Sequence, residues 1–88
     1  MVKNPLRNLL NRLLWDKEVN KGDYEIVYVS RGSRGGLERI NCNYLKGVTR
    51  DFFIYIKGEE EKYIPLHRVV EVIKKSEGRK VYHNPRFK

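Results

Sequence analysis

The sequence predicts an α+β fold in which an N-terminal amphipathic helix packs on a curved antiparallel sheet, or on a partly closed barrel, of about five strands. Two observations predict it. Leucines recur at helical spacing near the N-terminus, and short β-forming runs separated by glycine-containing turns fill the rest of the chain. With 88 residues, the chain has room for one domain, which we expect to span residues 1–88.

The helix is predicted to begin at Asn4-Pro5 and to run to about Leu14 or Asp16. Asparagine is favoured as a helix cap, and proline at the first helical position loses no hydrogen bond because its missing donor would have no partner there. The apolar stripe consists of Leu6, Leu9, Leu10, Leu13 and Leu14. Trp15 lies off this stripe, so we expect it to pack after the helix or to be partly exposed.

Strands are predicted from period-two alternation over residues 24–29, 37–43, 51–57, 63–75 and 80–83. Residues 44–50 are expected to form a turn or a single helical turn. The third strand is strongly apolar and is therefore predicted to be central, and the fourth is expected to carry a bulge near Val69. Antiparallel pairing of consecutive strands would make this sheet a meander.

The chain is strongly basic, with 19 lysines and arginines against 11 aspartates and glutamates and a formal net charge of +8. This imbalance favours a polyanionic partner such as RNA, although small proteins are also basic for solubility alone. Cys42 is the single cysteine, which excludes an internal disulfide and suits a reducing compartment. No segment resembles a signal peptide and no apolar run reaches the roughly 18 residues of a membrane span, so we expect a cytoplasmic protein with no membrane partner.

The loop Ser30–Gly36 combines several glycines with Arg31 and Arg34. Glycine frees the backbone to aim N–H groups at one anion, and the arginines add positive charge. The loop matches neither a Walker loop nor a dinucleotide-binding fingerprint. A flexible hairpin loop is the alternative, because the same residues favour turns.

A second candidate anion site lies at Pro65-Leu66-His67-Arg68. Pro65 lacks the N–H that a central strand requires, so we expect it at a strand start or on an edge strand. Neighbouring side chains of an extended strand point to opposite faces, so His67 and Arg68 cannot both face one core, and Arg68 is the residue we expect to contact a phosphate directly. The alternative is structural, with His67 bonded to a backbone carbonyl and Arg68 paired with Glu71 or with a glutamate of the turn at 58–61.

Aromatic residues are the remaining candidates, since exposed rings stack on single-stranded bases. Phe52, Phe53 and Tyr55 belong to the apolar third strand and are predicted to be core residues. Trp15 and the tyrosines of the first strand, Tyr24 and Tyr28, are better candidates for a surface platform.

Three segments together resemble the RNA cyclic-group-end recognition domain family, a small archaeal protein that also occurs fused into eukaryotic proteins. They are Arg12–Asp16, Tyr28–Gly32 and Ile64–Val69, and the likeness extends from about Leu6 to Tyr82. The resemblance implies recognition of RNA ends that carry a 2′,3′-cyclic phosphate or a related terminus. By motif, the implied site residues are Arg12, Trp15, Asp16, Arg31, Gly32, His67 and Arg68.

We therefore expect a non-catalytic domain that binds RNA 3′ ends in RNA processing or repair, beside a phosphoesterase or ligase that supplies the chemistry. One alternative is a general basic RNA-binding accessory protein. Another is a phosphodiesterase or nuclease that uses His67 and His83 as proton-transfer groups. One cysteine and two distant histidines do not predict a metal site, and we expect no cofactor.

Overall fold

The computed structural model describes residues 4–30 and 36–86. These residues form one helix and seven strands: α1 (Pro5–Trp15), β1 (Tyr24–Val29), β2 (Leu37–Asn41), β3 (Leu45–Val48), β4 (Phe52–Lys57), β5 (Glu60–Pro65), β6 (Val69–Lys74) and β7 (Arg79–His83). The α+β prediction is confirmed. The prediction of about five strands in one curved sheet is wrong, because the described strands form two antiparallel sheets and no closed barrel.

Helix α1 forms as its sequence predicts. The Asn4 side chain accepts a hydrogen bond from the Arg7 N–H at 3.1 Å, and Pro5 occupies the first turn. The buried positions of the stripe are Leu6, Leu10 and Leu13. None of the described helices is both long enough and apolar enough to cross a membrane.

The larger sheet has the strand order β2-β1-β6-β7, and the smaller sheet has the order β3-β4-β5. The chain is therefore not a meander, because β1 pairs with β2 and also with the distant β6. Strand β4 lies in the centre of the smaller sheet, as its apolar sequence predicts.

The predicted strand 63–75 is two strands that belong to different sheets. Strand β5 ends at Pro65 and a 3₁₀ turn over Leu66–Arg68 leads into β6. The chain turns there because Pro65 donates no ladder hydrogen bond, while Leu66 buries its side chain and donates its N–H to the Asp51 carbonyl at 2.8 Å. Strand β5 is an edge strand, so the edge position expected for Pro65 is confirmed.

The segment 44–50, predicted as a turn, contains strand β3. The preceding strand ends early because the Asn41 side chain accepts the Asn43 N–H at 2.8 Å and opens a 3₁₀ turn over Cys42–Tyr44. Strand β3 then pairs with β4 and contacts α1. Lysine and glycine within β3 hid it from a pattern-based prediction.

The core lies between the two sheets and the helix. Leucines of α1 share one buried cluster with Ile26 and Val72 of the larger sheet and with Phe53 of the smaller sheet. The inner face of each sheet is therefore the face that carries these residues. Beyond this cluster, the inner faces of the two sheets carry polar side chains and enclose an open space.

Candidate nucleic-acid interface

A groove opens between the two sheets at the ends of β1 and β4. It consists of two cavities of about 350 and 250 Å³ that share the residues Tyr28, Glu38, Tyr55 and Lys57. Sites for small ligands typically measure roughly 300–1,000 Å³, so the two cavities together have room for a nucleotide. We call this space the inter-sheet groove.

Two tyrosine hydroxyls form the floor of the inter-sheet groove. The oxygens of Tyr28 and Tyr55 lie 3.1 Å apart, and both rings pack against Phe53, with centroids at 5.8 and 6.0 Å. Burial, reinforced by the hydrogen bond with Tyr55, raises the pKa of Tyr28 well above its ordinary value, so this hydroxyl stays neutral at physiological pH.

The burial of the aromatic residues differs from the prediction at two positions, Tyr28 and Phe52. Tyr28 is only 4% exposed, so the prediction of a surface platform is wrong for this ring. Phe53 and Tyr55 are core residues as predicted, whereas Phe52 is 39% exposed because its side chain points away from the inner face. Tyr24 is half-buried.

Strand register places charged side chains on the walls of the groove. Glu38 is the cross-strand partner of Tyr28, and Lys62 is the partner of Tyr55. Partners in a ladder share one face of a sheet, as do residues two apart along a strand, so Lys57 also faces inward beside Tyr55. Charged groups from both sheets therefore point into the same space.

Arg68 joins these groups from the 3₁₀ turn that follows β5. Its side chain is half-buried and lines the same cavity as Lys57 and Lys62. Within residues 4–30 and 36–86, neither Arg68 nor Lys57 forms an ion pair or a side-chain hydrogen bond. A cation that is partly removed from water and has no carboxylate partner is available to bind an anion.

The structural alternative for Arg68 is therefore wrong. Glu71 pairs with Lys80 at 3.1 Å, on the far side of the larger sheet. Two of the three glutamates of the turn have other partners as well, since Glu60 lies 3.1 Å from Lys62 and Glu61 pairs with Lys46. Among the described residues, the third glutamate, Glu59, forms no ion pair with Arg68.

The glycine-rich loop begins and ends beside the groove. The Ser30 N–H donates to the Gly36 carbonyl at 2.7 Å, and Ser30 lines the same cavity as Arg68. Gly36 has a φ of 76°, a left-handed conformation that favours glycine. The predicted site residues Arg31, Gly32 and Arg34 lie outside the described residues.

The predicted site residues at the end of α1, Arg12, Trp15 and Asp16, do not line the inter-sheet groove. The Arg12 Nε is 3.6 Å from the Asp16 carboxylate, which also accepts the Glu18 N–H at 2.9 Å and so helps to end the helix. Trp15 is 78% exposed at this end. These contacts give Arg12 and Asp16 a structural role in closing the helix.

Arg12 and Arg68 lie toward opposite ends of β1. Arg12 lines a cavity with Tyr24 and Lys74, the first pair in the β1–β6 register, whereas Arg68 precedes Val69, which pairs with Tyr28. Tyr24 and Tyr28 are four residues apart, a separation of about 13 Å along a strand. The structure does not bring these two predicted site residues together.

His67 faces a third cavity, of about 550 Å³, together with Arg50, Phe52 and Tyr82. The expectation of an extended strand at His67 is wrong, because the residue belongs to the 3₁₀ turn, yet His67 and Arg68 still line different cavities.

The second histidine does not share the His67 cavity. His83 follows Tyr82 on β7, so its side chain takes the opposite face of the sheet, where its Nδ1 lies 3.6 Å from Glu71. The two histidines therefore do not flank one phosphate position.

The groove contains residues that were not predicted as site residues, among them Glu38, Tyr44, Lys57 and Lys62. Tyr44 is 58% exposed at the end of the groove away from Arg68. The signal for Lys57 was present in the sequence, since the buried alternation Phe53, Tyr55 continues to Lys57. Where a charged residue takes the next position on the core-facing side of a strand, the core ends there and the strand face becomes accessible to solvent or to a ligand.

Fold and site together define a small α+β protein with a cationic groove between two antiparallel sheets. The chain belongs to the family described as the MJ1316 RNA cyclic group end recognition domain, whose model matches residues 3–84. The family suggested by the three sequence motifs is therefore confirmed.

Curated relatives are archaeal proteins named only as members of the uncharacterised group UPF0248. The chain is similar to a UPF0248 protein of Saccharolobus islandicus, with 32% identity over 72 residues that cover 82% of this chain and 89% of the relative. It is also similar to one of Methanococcus maripaludis, with 30% identity over 77 residues that cover 88% and 95%. A UPF0248 protein of Methanococcus vannielii shows 34% identity over 67 residues, 76% of each chain. No solved structure matches the chain.

Proposed function

We propose that this protein is a non-catalytic RNA-binding domain that holds a processed RNA 3′ end, a 2′,3′-cyclic phosphate or a similar terminal phosphate, in the inter-sheet groove. One observation carries the proposal. Arg68 is a half-buried cation that has no anionic partner among the described residues, and it lines one of the two cavities that together have room for a nucleotide. The description of the family supports the choice of ligand.

The groove has the chemistry that such an end requires. A cyclic phosphate carries one negative charge on two non-bridging oxygens, which the planar guanidinium of Arg68 binds as a pair. The hydrogen-bonded hydroxyls of Tyr28 and Tyr55 supply a donor beside it, and Lys57 attracts the preceding phosphates. At the other end of the groove, the exposed ring of Tyr44 is placed to stack on a base.

Binding without catalysis is favoured by the separation of the titratable groups. Cleavage or opening of a phosphodiester needs two proton-transfer groups at one phosphate. His67 lines a different cavity from Arg68, and His83 takes the other face of its strand. We assign the reaction itself to a separate RNA-processing phosphoesterase or ligase, in a cytoplasmic RNA processing or repair setting.

The test is equilibrium binding to RNA oligonucleotides that are identical except for a 2′,3′-cyclic phosphate, an open 3′-phosphate or a 3′-hydroxyl. We expect tighter binding to the cyclic phosphate than to the hydroxyl. Arg68→Lys keeps the charge but loses the paired donors, so it should bind the hydroxyl oligonucleotide as before and lose the preference for the cyclic end. The matched control Arg79→Lys changes an arginine that is paired with Glu77 and should keep the preference.

Two results would overturn the proposal. Equal affinity for all three ends would leave only general RNA binding, set by length and salt. A mass gain of one water on the cyclic oligonucleotide after incubation with the protein would show that the domain is an enzyme.

A further inference from the structure

Glu38 is the one carboxylate that lines both cavities of the groove within the described part of the chain. It belongs to the edge strand β2 and faces inward because it is the ladder partner of the buried Tyr28. Its charge lies near enough to the Tyr28 hydroxyl to contribute to the raised pKa of that group. The carboxylate therefore points at the floor of the groove.

Glu38 has no partner among the residues that the structure describes. The side chain is half-buried, and within residues 4–30 and 36–86 it forms no ion pair and no hydrogen bond. Lys57 and Arg68 line the same cavity but do not come within ion-pair distance of its oxygens. Two strong acceptor oxygens are thus held inside a groove whose other charges are positive.

A carboxylate in this position repels the phosphates of RNA, so the groups of RNA that it can bind are hydrogen-bond donors, above all those on the edges of the bases. Guanine presents two adjacent donors on its Watson–Crick edge, N1–H and the N2 amino group, which match the two oxygens of a carboxylate. Adenine, cytosine and uracil have no two adjacent donors on this edge, so one carboxylate oxygen would face a base acceptor.

We infer that Glu38 reads the terminal base of the RNA end and selects guanine. The inference rests on the proposed function, since it takes the groove as the site of the RNA end. The phosphate would lie at Arg68, the guanine edge at Glu38 and the guanine face against Tyr44, in the order in which these residues line the two cavities. Tyr44 contributes to affinity for every base, because stacking is tolerant of sequence, whereas Glu38 sets the preference.

The test compares four cyclic-phosphate oligonucleotides that differ only in the terminal base, with the full chain and direct binding by fluorescence anisotropy. We expect guanine to bind at least tenfold more tightly than uracil, because uracil offers Glu38 a single donor and places an acceptor against its second oxygen. Inosine, which lacks only the N2 amino group, should bind with intermediate affinity. Glu38→Gln should reduce the guanine-to-uracil ratio to about one, since its amide N–H₂ faces the donors of guanine.

The matched control is Glu18→Gln, which removes the same charge from an exposed position beyond the end of α1 and should leave the ratio unchanged. Equal affinity of the wild-type protein for the four bases overturns the inference, as does an unchanged ratio in Glu38→Gln. If Glu38→Gln instead associates into dimers on size exclusion, with no change in the ratio, the carboxylate only protects the edge of β2 from pairing with another chain.

Failure here is distinguishable from failure of the proposed function. A cyclic-end preference without a base preference keeps the function and removes the role of Glu38. A base preference that is the same for cyclic and hydroxyl ends removes the end recognition and keeps base reading.

Discussion

The two ends of β1 both carry cations, but the cations differ in whether they are already paired. At the Tyr24 end, Lys74 and Arg79 share Glu77 at 2.9 and 2.8 Å. These contacts lower the pKa of Glu77 and raise that of Lys74, as expected for opposite charges in hydrogen-bond contact. At the Tyr28 end, Lys62 is paired with Glu60 at 3.1 Å, but Arg68 and Lys57 have no such partner within the described ranges.

A surplus of basic residues therefore does not by itself identify an RNA-binding surface, because many of these residues are already paired with carboxylates. A paired cation must exchange its carboxylate for the ligand, whereas an unpaired one gains a charge-assisted hydrogen bond when it binds. Both ends carry residues of the sequence motifs, Arg12 at one and Arg68 at the other. The two arginines differ in that Arg12 lies 3.6 Å from the Asp16 carboxylate, whereas Arg68 has no carboxylate partner among the described residues.

The largest expected effect comes from removing one arginine at each end. Arg68→Ala should weaken binding of a cyclic-phosphate oligonucleotide by roughly 10- to 100-fold, since hydrogen bonds to charged groups contribute about 1.5–3 kcal/mol. Arg12→Ala should change the affinity by less than threefold, because Arg12 is already close to Asp16. Equal losses in the two variants, measured by fluorescence anisotropy, would contradict the distinction between the ends.

A smaller effect is expected in the salt dependence of binding. Two phosphate contacts, by the unpaired Lys57 and Arg68, predict a log–log slope of about −1.4 for a single strand. Lys57→Ala should make the slope shallower by about 0.7, whereas Lys74→Ala, at the paired end, should leave it unchanged. Affinity measured over a series of potassium chloride concentrations gives both slopes. A slope that changes in Lys74→Ala but not in Lys57→Ala would place the phosphate contacts at the Tyr24 end of β1 instead.

The smallest effect concerns the stability of the groove floor. Tyr28→Phe removes one buried hydrogen bond and should lower the free energy of unfolding by about 1 kcal/mol at pH 7, as measured by urea denaturation. The exposed Tyr63→Phe is the control and should stay within about 0.5 kcal/mol of the wild type.

The same variant predicts a dependence on alkaline pH. The pKa of Tyr28 is raised in the folded protein, so the stability that it contributes is complete below the pKa of the unfolded chain, near 10, and falls as the pH rises further. The difference between wild type and Tyr28→Phe should therefore shrink above pH 10, by up to about 1.4 kcal/mol per pH unit. Cys42, whose pKa burial raises to about 12, titrates in both proteins and cancels. A constant difference would show that Tyr28 is not protected from ionisation.

The sequence predicted the local elements better than their assembly. Helix α1, the apolar β4 and the final hairpin follow from periodicity and turn residues, which are properties of neighbouring positions. The pairing of β1 with β6 and the division into two sheets depend on contacts between distant segments, which no local pattern carries. The turn at Leu66 belongs to this second group, because it forms to bury one leucine against elements elsewhere in the chain.

The residues of the candidate site were also predicted only in part from the sequence. Arg68 was found from its motif, but its lack of a partner is visible only when the carboxylates of the fold are in place. Glu38 was missed because one glutamate in an alternating strand is an ordinary surface pattern, and only the register with Tyr28 turns it inward.

The most direct test of the central claim, that the RNA end occupies the groove and not the end of α1, is an NMR titration of the ¹⁵N-labelled protein with a short cyclic-phosphate oligonucleotide. The chain has a single tryptophan, and Trp15 is exposed beside Arg12, so its indole N–H is a reporter for that end. We expect the amide signals of Ser30, Glu38 and Arg68 to shift on binding while the Trp15 indole signal stays in place. A shift of the Trp15 indole and Arg12 signals, with those of the groove unchanged, would contradict the account.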